Sequence, residues 1–452
     1  MARLREVLAI ASRYDIFHGL TPESFRHLLE ELGPTFVKAG QILSMRSEIL
    51  PQSFCEELAK LRTNVEPMDR DLLLETLRSE YDKPIEEIFD AIDDVPLGSA
   101  SVAQVHKARL VGGELVAIKV QRPHVQEIMA QDISIMSSLA KRASRLMGDE
   151  QFLDLQSVVN ELWQSFLEET DFLVEVRSLT EFRRNNADCK FVDCPMPYPK
   201  LCTEHVVVMN YVDGIPIGDN DRLVREGYDL EEIGTKLVDN FAQQILDDGF
   251  FHADPHPGNL QIQGGRIMYL DFGIVGRLSA HDRGAIQEMA FAVADRDSAR
   301  LKDGLLSFST GTTSDIDHPH LLADLDQLVN EFGLTDLSEF DMGAFLNAII
   351  AMARKNGIEL PGAMTMLVRS LVTLEGVAYK LLPDISVIEV IQAHIKAHRD
   401  PKKLVEDELK QLARGSVKAG RSVVDTLSQA SLAMDMFMRG QMRMNLDLPG
   451  TT

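Results

Sequence analysis

Two stretches of this chain could together carry a reaction: Gly249-Phe-Phe-His-Ala-Asp-Pro-His-Pro-Gly-Asn259 and Tyr269-Leu-Asp-Phe-Gly273. The first sets Asp254 five residues before Asn259 on a Pro/Gly-rich loop. A strand-like run, Arg266–Leu270, then delivers Asp271 into Phe272-Gly273. Phosphoryl transfer from ATP needs this kit: a carboxylate near the nucleophile, and an amide with a second carboxylate on Mg²⁺ or Mn²⁺. Asp254 is then the base, or orients an attacking water, while Asn259 and Asp271 are metal ligands.

Such chemistry also needs a cation on the α- and β-phosphates. Lys119 stands in Glu114-Leu-Val-Ala-Ile-Lys-Val120, a β-rich run after the Gly112-Gly113 turn. Glu175, on the helical pattern Asp171-Phe-Leu-Val-Glu-Val-Arg177, lies in the right interval to pair with it. Ahead of the lysine, Pro96-Leu-Gly-Ser-Ala-Ser-Val102 occupies the place of a phosphate-covering loop. Gly98, Ser99, Ala100 and Ser101 are its candidate nucleotide-binding residues. Only one of them is glycine, so extra Cβ atoms should restrict the loop. The run Thr203–Val212 reads as a strand, and the backbone of Asn210, Tyr211 and Val212 would bond an adenine ring.

The elements that must position these groups are mostly helical. Residues 1–66 read as three helices, the first opened by Thr21-Pro22-Glu23-Ser24, the second running from Thr35 to about Ile49, the third over Phe54–Leu61. Residues 67–212 hold a helix (Asp71–Tyr81), the strand pair around Gly98–Val120 and a long helical stretch from about Val125 to Asn185. Residues 213–395 read as helices over Leu230–Gly249, Ala280–Asp295, Asp297–Ser307, His320–Phe332, Asp341–Asn356 and Pro361–Leu382. A helix follows Asp271-Phe-Gly273 almost at once, with no Ala-Pro-Glu, leaving little of the segment on which a protein kinase seats a peptide. In the tail, 396–452, Lys410, Arg414, Lys418 and Arg421 fall at helical spacing beside apolar positions. That pattern fits a helix packed on the protein or one lying on an anionic membrane surface.

On these motifs the chain resembles the UbiB/ADCK-type atypical kinases, a family linked to ubiquinone biosynthesis. The resemblance covers roughly residues 25–390. It rests on Lys38-Ala-Gly-Gln41, the Gly98–Ser101 loop, Glu169-Thr-Asp171, the His252–Asn259 loop and Asp271-Phe-Gly273. One departure is the loop, Gly-Ser-Ala-Ser where the family often has Ala-Ala-Ala-Ser. The resemblance implies an α+β, two-lobed protein-kinase-like fold with a helical N-terminal extension (1–66), an N-lobe (67–212), a C-lobe (213–395) and a helical tail (396–452). It also implies that Lys38, Gln41, Glu169 and Asp171 line the site, with the extension covering the cleft where a protein substrate would dock. A contact of Lys38 with Glu169 or Asp171 would satisfy both charges under that cover. The implied activity is an ATPase or small-molecule kinase serving isoprenoid-quinone or lipid metabolism, with quinone-pathway molecules or proteins as partners. The alternatives are a protein kinase and a weakly active nucleotide-binding scaffold.

Composition narrows the partners. At 452 residues, 45% hydrophobic, the chain can bury a full core and is long for one domain. A net charge of −24 argues against a nucleic acid, which demands a basic face. Four cysteines do not make a disulfide framework. Cys189, Cys194 and Cys202 with His205 lack a usual zinc spacing and read as small buried groups. The N-terminus carries charge inside what would be the apolar part of a signal peptide, and no run of about 18 apolar residues occurs. The reading is therefore cytoplasmic, with peripheral membrane contact through the tail.

Overall fold

The structure, a computed structural model, describes residues 2–14, 20–44, 50–61, 67–147, 155–309, 316–333, 342–383 and 386–398. The chain divides into two units, 1–392 and 393–452, the second described only through residue 398. The basic stripe at Lys410, Arg414, Lys418 and Arg421 lies outside the described residues.

The chain opens with helices α1 (Ala2–Ala11), α2 (Pro22–Leu32), α3 (Pro34–Ser44) and α4 (Gln52–Leu58). Thr21 caps α2, accepting from the Ser24 N–H, with Pro22 in the first turn where its missing N–H costs nothing. Leu28, Leu29 and Leu32 of α2 pack with Phe36, Val37, Leu58 and Leu61 in a small core of their own. Gly40 permits this closeness: a Cβ there would lie 2.5 Å from Leu61 Cδ1 and 2.6 Å from Leu29 Cδ1.

Helix α5 (Arg70–Glu80) then covers an antiparallel sheet of β1 (Phe89–Ile92), β2 (Gly98–Ser99), β3 (Ala103–Leu110), β4 (Leu115–Gln121) and a later strand. Side chains alternate across β4. Val116, Ile118 and Val120 are fully buried against Leu73 and Leu77 of α5, whereas Ala117 and Lys119 face the other way.

The expected single helical stretch over 125–185 is three helices, α6 (Val125–Met147), α7 (Leu155–Thr170) and α8 (Phe172–Asn185). The break before α8 has a local cause. Asp171 leaves the helical conformation and caps α8, its Oδ1 accepting from the Leu173 N–H at 3.0 Å. Helix α8 buries Phe172, Glu175, Val176, Leu179 and Phe182, a spacing of three and four that makes one face.

Strand β5 (Val192–Asp193), inside the span assigned to the N-lobe, pairs parallel with a strand of a second sheet instead. The strand expected over Thr203–Val212 is shorter, β6 (Val206–Asn210). Thr203 Oγ1 accepts from the N–H groups of His205 and Val206, a hydroxyl turn that delays extended pairing. In register, Lys119 lies between Val105 of β3 and Val207 of β6.

Beyond β7 (Ile215–Pro216), α9 (Asn220–Arg225) and α10 (Leu230–Gln243), a wide helical turn at Gln244–Asp248 ends on Gly249. There φ is +64°, and a Cβ would stand 2.7 Å from the Leu278 carbonyl oxygen. Strand β8 (Phe250–His252) leads into the Asp254–Asn259 loop, and β9 (Leu260–Gln263) and β10 (Arg266–Tyr269) form a hairpin. The second sheet runs β5-β10-β9-β7. After Gly273, the short strand β11 (Val275–Arg277) pairs back onto β8, and α11 (Ala280–Ala294) starts at once behind a Ser279/Asp282 capping box.

Helices α12 (Ser298–Ser307), α13 (His318–Gly333), α14 (Met342–Lys355), α15 (Gly362–Leu381) and α16 (Val387–His398) complete the described chain. Leu301, Leu305, Leu321, Leu325, Phe345 and Ile349 make one core from α12, α13 and α14, joined by Ala292 of α11. The fold class is α+β, mostly helical, as expected.

Candidate functional site

One cavity of about 790 Å³ collects the residues singled out by sequence. Lys119 and Glu175, Gly98 through Ser101, Asn210 through Val212, Asp254, Asn259 and Asp271 all line it. Lys38, Gln41, Glu169 and Asp171 do too, with Ser44 and Leu61, so the N-terminal helices form part of its wall.

Lys119 is fixed by the sheet and Glu175 by the apolar face of α8. Their side chains meet at Nζ–Oε2 2.8 Å, and Asp271 Oδ1 stands 3.5 Å from the same ammonium. Burial alone would lower the Lys119 ammonium. The Asp271 and Glu175 carboxylates outweigh it and hold the group above its ordinary value. Glu175, whose side chain is only 5% exposed, is pushed up to about 7, first by burial and further by Asp271; Lys119 opposes the shift. Asp271 is half open to the cavity. Lys119 first, then the Gly273 N–H that donates to Oδ1 at 2.9 Å, keep its carboxyl well below the usual range, against burial.

The loop with Asp254 hangs from His252, which is 1% exposed. Its Nδ1 accepts from the Asp254 N–H at 3.2 Å, so Nε2 carries the proton and donates to the Asp271 carbonyl. Burial lowers the pKa of this imidazole, which fits the neutral tautomer. One ring thus ties the two aspartates' backbones together. A buried amide chain supports it: the His252 N–H donates to Gln244, Gln244 to Asn240, and Asn240 to Asn186 at the end of α8. Phe272 packs beside it, 5.1 Å from the His252 ring and 4.8 Å from Phe182 of α8. Asn259 Nδ2 donates to the Asp254 carbonyl at 3.1 Å, leaving its Oδ1 as a metal donor. Asp271 and Asn259 offer hard oxygens on one wall, a set that suits Mg²⁺ or Mn²⁺ completed by water and phosphate oxygens. The carboxylate of Asp271, kept ionised and partly open, fits that role.

The loop over the cavity is held differently from the expectation. Gly98 and Ser99 pair with Val105 and Gln104 as a strand, and a Cβ on Gly98 would meet nothing within 4 Å. What restrains the loop is Arg122, whose guanidinium donates to Ala100 O at 2.9 Å and Ser99 Oγ at 2.8 Å. Ala100 N–H closes the turn on Ala103 O at 2.8 Å. These hydrogen bonds hold the loop in place beside whatever its Cβ atoms restrict.

The backbone expected to bond adenine has fewer free groups than expected. The Asn210 N–H already donates to Met196 O and the Tyr211 N–H to Leu115 O, both at 3.0 Å. The Val212 N–H and the segment's carbonyls remain for a ring.

On the covering side, Lys38 Nζ reaches Glu169 Oε1 at 2.6 Å. Gln41 donates to the Leu61 carbonyl at 3.0 Å, and Asp171 divides between its cap and Arg177 at 3.4 Å. Of the three cysteines expected to be buried only Cys194 is, Cys189 and Cys202 being partly exposed; His205 pairs with Glu80, and among the described residues no cluster of metal-binding side chains forms there. Sequence motifs did not point to Arg122, Ser44, Leu61 or Arg369, all brought to the site by tertiary packing. Arg369 did leave a trace, as a lone cation in the apolar run Met364–Val372.

Comparison with known proteins bears on the family and the fold. Residues 60–305 match the ABC1 atypical kinase-like domain and residues 325–386 the UbiB helical domain. An uncharacterized protein of Clostridium pasteurianum, from the 5′ region of hydrogenase 1, is 35% identical over 404 residues, spanning 87% of this chain and 76% of the relative. An uncharacterized Synechocystis protein is 29% identical over 426 residues, spanning 93% of this chain and 73% of the relative. Among solved structures, the erythromycin complex of Rv3197 from Mycobacterium tuberculosis superposes with a TM-score of 0.52 at 21% identity, covering 82% of this chain and 93% of that one. That likeness concerns the fold alone. By its matched domains and its relatives, the chain belongs to the ABC1/UbiB family of atypical kinase-like proteins.

Proposed function

We propose that this protein binds ATP with Mg²⁺ or Mn²⁺ and moves its terminal phosphoryl group to water or a small hydroxyl acceptor. The observation that carries this reading is the Lys119–Glu175 ion pair with Asp271 3.5 Å from Lys119, in one cavity with Asp254 and Asn259. Lys119 holds the α- and β-phosphates, and Glu175 holds Lys119. Asp271 and Asn259 would hold the metal, which would offset the negative charge of the phosphate oxygens. Asp254 accepts the proton of the attacking oxygen as the bond from the terminal phosphorus to ADP breaks and a bond to that oxygen forms. His252 keeps Asp254 and Asp271 in fixed relation. Val212 and the neighbouring carbonyls receive the adenine.

The wall built by the N-terminal helices and the short connection from Gly273 to α11 support a small acceptor over a peptide. The acceptor belongs to isoprenoid-quinone or related lipid metabolism in this reading, and the basic tail stripe brings the protein to anionic membrane surfaces. Titration calorimetry with ATP in the presence and absence of Mg²⁺, together with phosphate release on anionic liposomes with a phenolic quinone precursor analogue, tests it. Metal-dependent ATP binding with turnover is expected. Absence of nucleotide binding under both conditions overturns the reading.

A further inference from the structure

Arg369 is a cation of the cavity that the foregoing assignment leaves without a task. It projects from α15, and the next residue, Ser370, is fully buried with its Oγ 2.8 Å from the Ala253 carbonyl oxygen. Helix α15 is thereby fastened to the residue before Asp254, and Arg369 and Asp254 line the same cavity. Among the described residues the guanidinium reaches no carboxylate. Its contact is Ser44 Oγ at 3.5 Å, at the limit of a hydrogen bond. Five donors half-withdrawn from water with so little to bond are costly unless a ligand supplies acceptors. Lys119, by contrast, is already met by Glu175 and Asp271. The cavity therefore has a satisfied cation at the β4 side and an unsatisfied one at the Asp254 side.

We propose that Arg369 binds the terminal phosphoryl group of the nucleotide and so discriminates ATP from ADP. The inference rests on the phosphotransfer reading. With the inner phosphates on Lys119, the group presented to Asp254 is the one that ADP lacks. During transfer the bond from that phosphorus to the ADP oxygen breaks, a bond to the acceptor oxygen forms, and Asp254 takes the acceptor's proton. The charge spread over the three remaining phosphoryl oxygens is what a planar guanidinium matches. Burial pushes the Arg369 guanidinium down from its ordinary value while the Asp254 carboxylate opposes it, and it stays charged in any case.

The test uses the full chain with Arg369→Met and Arg369→Lys, titrated with ADP and with a non-hydrolysable ATP analogue in Mg²⁺, alongside turnover. Arg369→Met should leave ADP affinity within about two-fold while weakening the ATP analogue about ten-fold, with turnover down on the order of 100-fold. Arg369→Lys, which keeps charge but not the fork, should fall between. Equal weakening of both nucleotides, or an unchanged ratio with unchanged turnover, overturns the proposal. If Arg369→Met does not fold, Arg369→Lys decides by the same ratio. A wild type that binds neither nucleotide sinks the phosphotransfer reading itself.

Discussion

Lys119 and Lys38 reach the same cavity, each paired with one glutamate, yet their supports differ. Lys119 stands mid-strand between two ladder partners, and Glu175 lies on the buried face of α8, so neither end of the pair can shift without disturbing a core. Lys38 stands on α3, whose core is a separate cluster of α2, the Leu58–Leu61 turn and neighbouring helices. Its partner Glu169 is a quarter exposed, at the end of α7. The two salt bridges have near-identical lengths, 2.8 and 2.6 Å, and differ in what surrounds them. Burial makes the first a pair that neither residue can lose alone. In the second the lysine is equally shielded but Glu169 is a quarter exposed, so losing Lys38 leaves a carboxylate that water can reach.

The largest effect that could break this comparison is on binding. Asp271→Asn should abolish the metal dependence of nucleotide affinity, on the order of 100-fold at saturating Mg²⁺, because it removes a carboxylate held ionised at the proposed metal position. Calorimetry with and without the metal measures it, and persistence of that dependence would show that the metal sits elsewhere.

Next in size, Lys119→Met should destabilise by about 3 kcal/mol, since it strands a buried glutamate, while Lys38→Met should cost about 1 kcal/mol or less. Denaturant melts of the two variants decide the matter. Equal losses would erase the distinction drawn between the pairs.

Gly276→Ala probes the rigid side, about 1–3 kcal/mol. A Cβ there would fall 2.0 Å from the ring of fully buried Phe251, across the β8–β11 pairing that brackets Asp254 and Asp271. An unchanged melting temperature would mean that this ring can swing aside.

A last test sharpens the electrostatics. Glu175 in the folded protein titrates near 7 against an ordinary 4.5, so it takes up a proton on folding. Its contribution to stability is fully present below about 4.5 and is lost as pH rises through about 7. Asp271, depressed, acts in the opposite sense, and only at pH below the ordinary carboxylate range. Between pH 4.5 and 7 the stability of wild type relative to Glu175→Gln should therefore decline steadily. A flat difference across that window would mean that Glu175 is ionised throughout.

Legibility from sequence followed the range of the interactions involved. Lys119, Asp254, Asn259 and Asp271 were readable because each sits in a local pattern, strand or turn, whose geometry demands few neighbours. Glu175 was readable through its helical face, and it does meet Lys119. The break at Asp171 was written in the sequence as a cap residue and was passed over because the apolar spacing ran on through it. The pairing of β5 with β10 was not legible, since a two-residue strand has no periodicity to read and its partner lies far along the chain.

The sequence by itself determined the family and the residues that could carry a reaction, because side-chain chemistry and short spacings are local properties. Tertiary structure decided which groups are free to act. It used up the Asn210 and Tyr211 N–H groups in pairing, gave the covering loop to Arg122, and sent Gln41 to a carbonyl. It also brought Arg369 into the cavity that Asp254 lines, from more than a hundred residues away. Those outcomes depend on which hydrogen-bond and charge partners lie within about 3 Å, and only the folded chain specifies that.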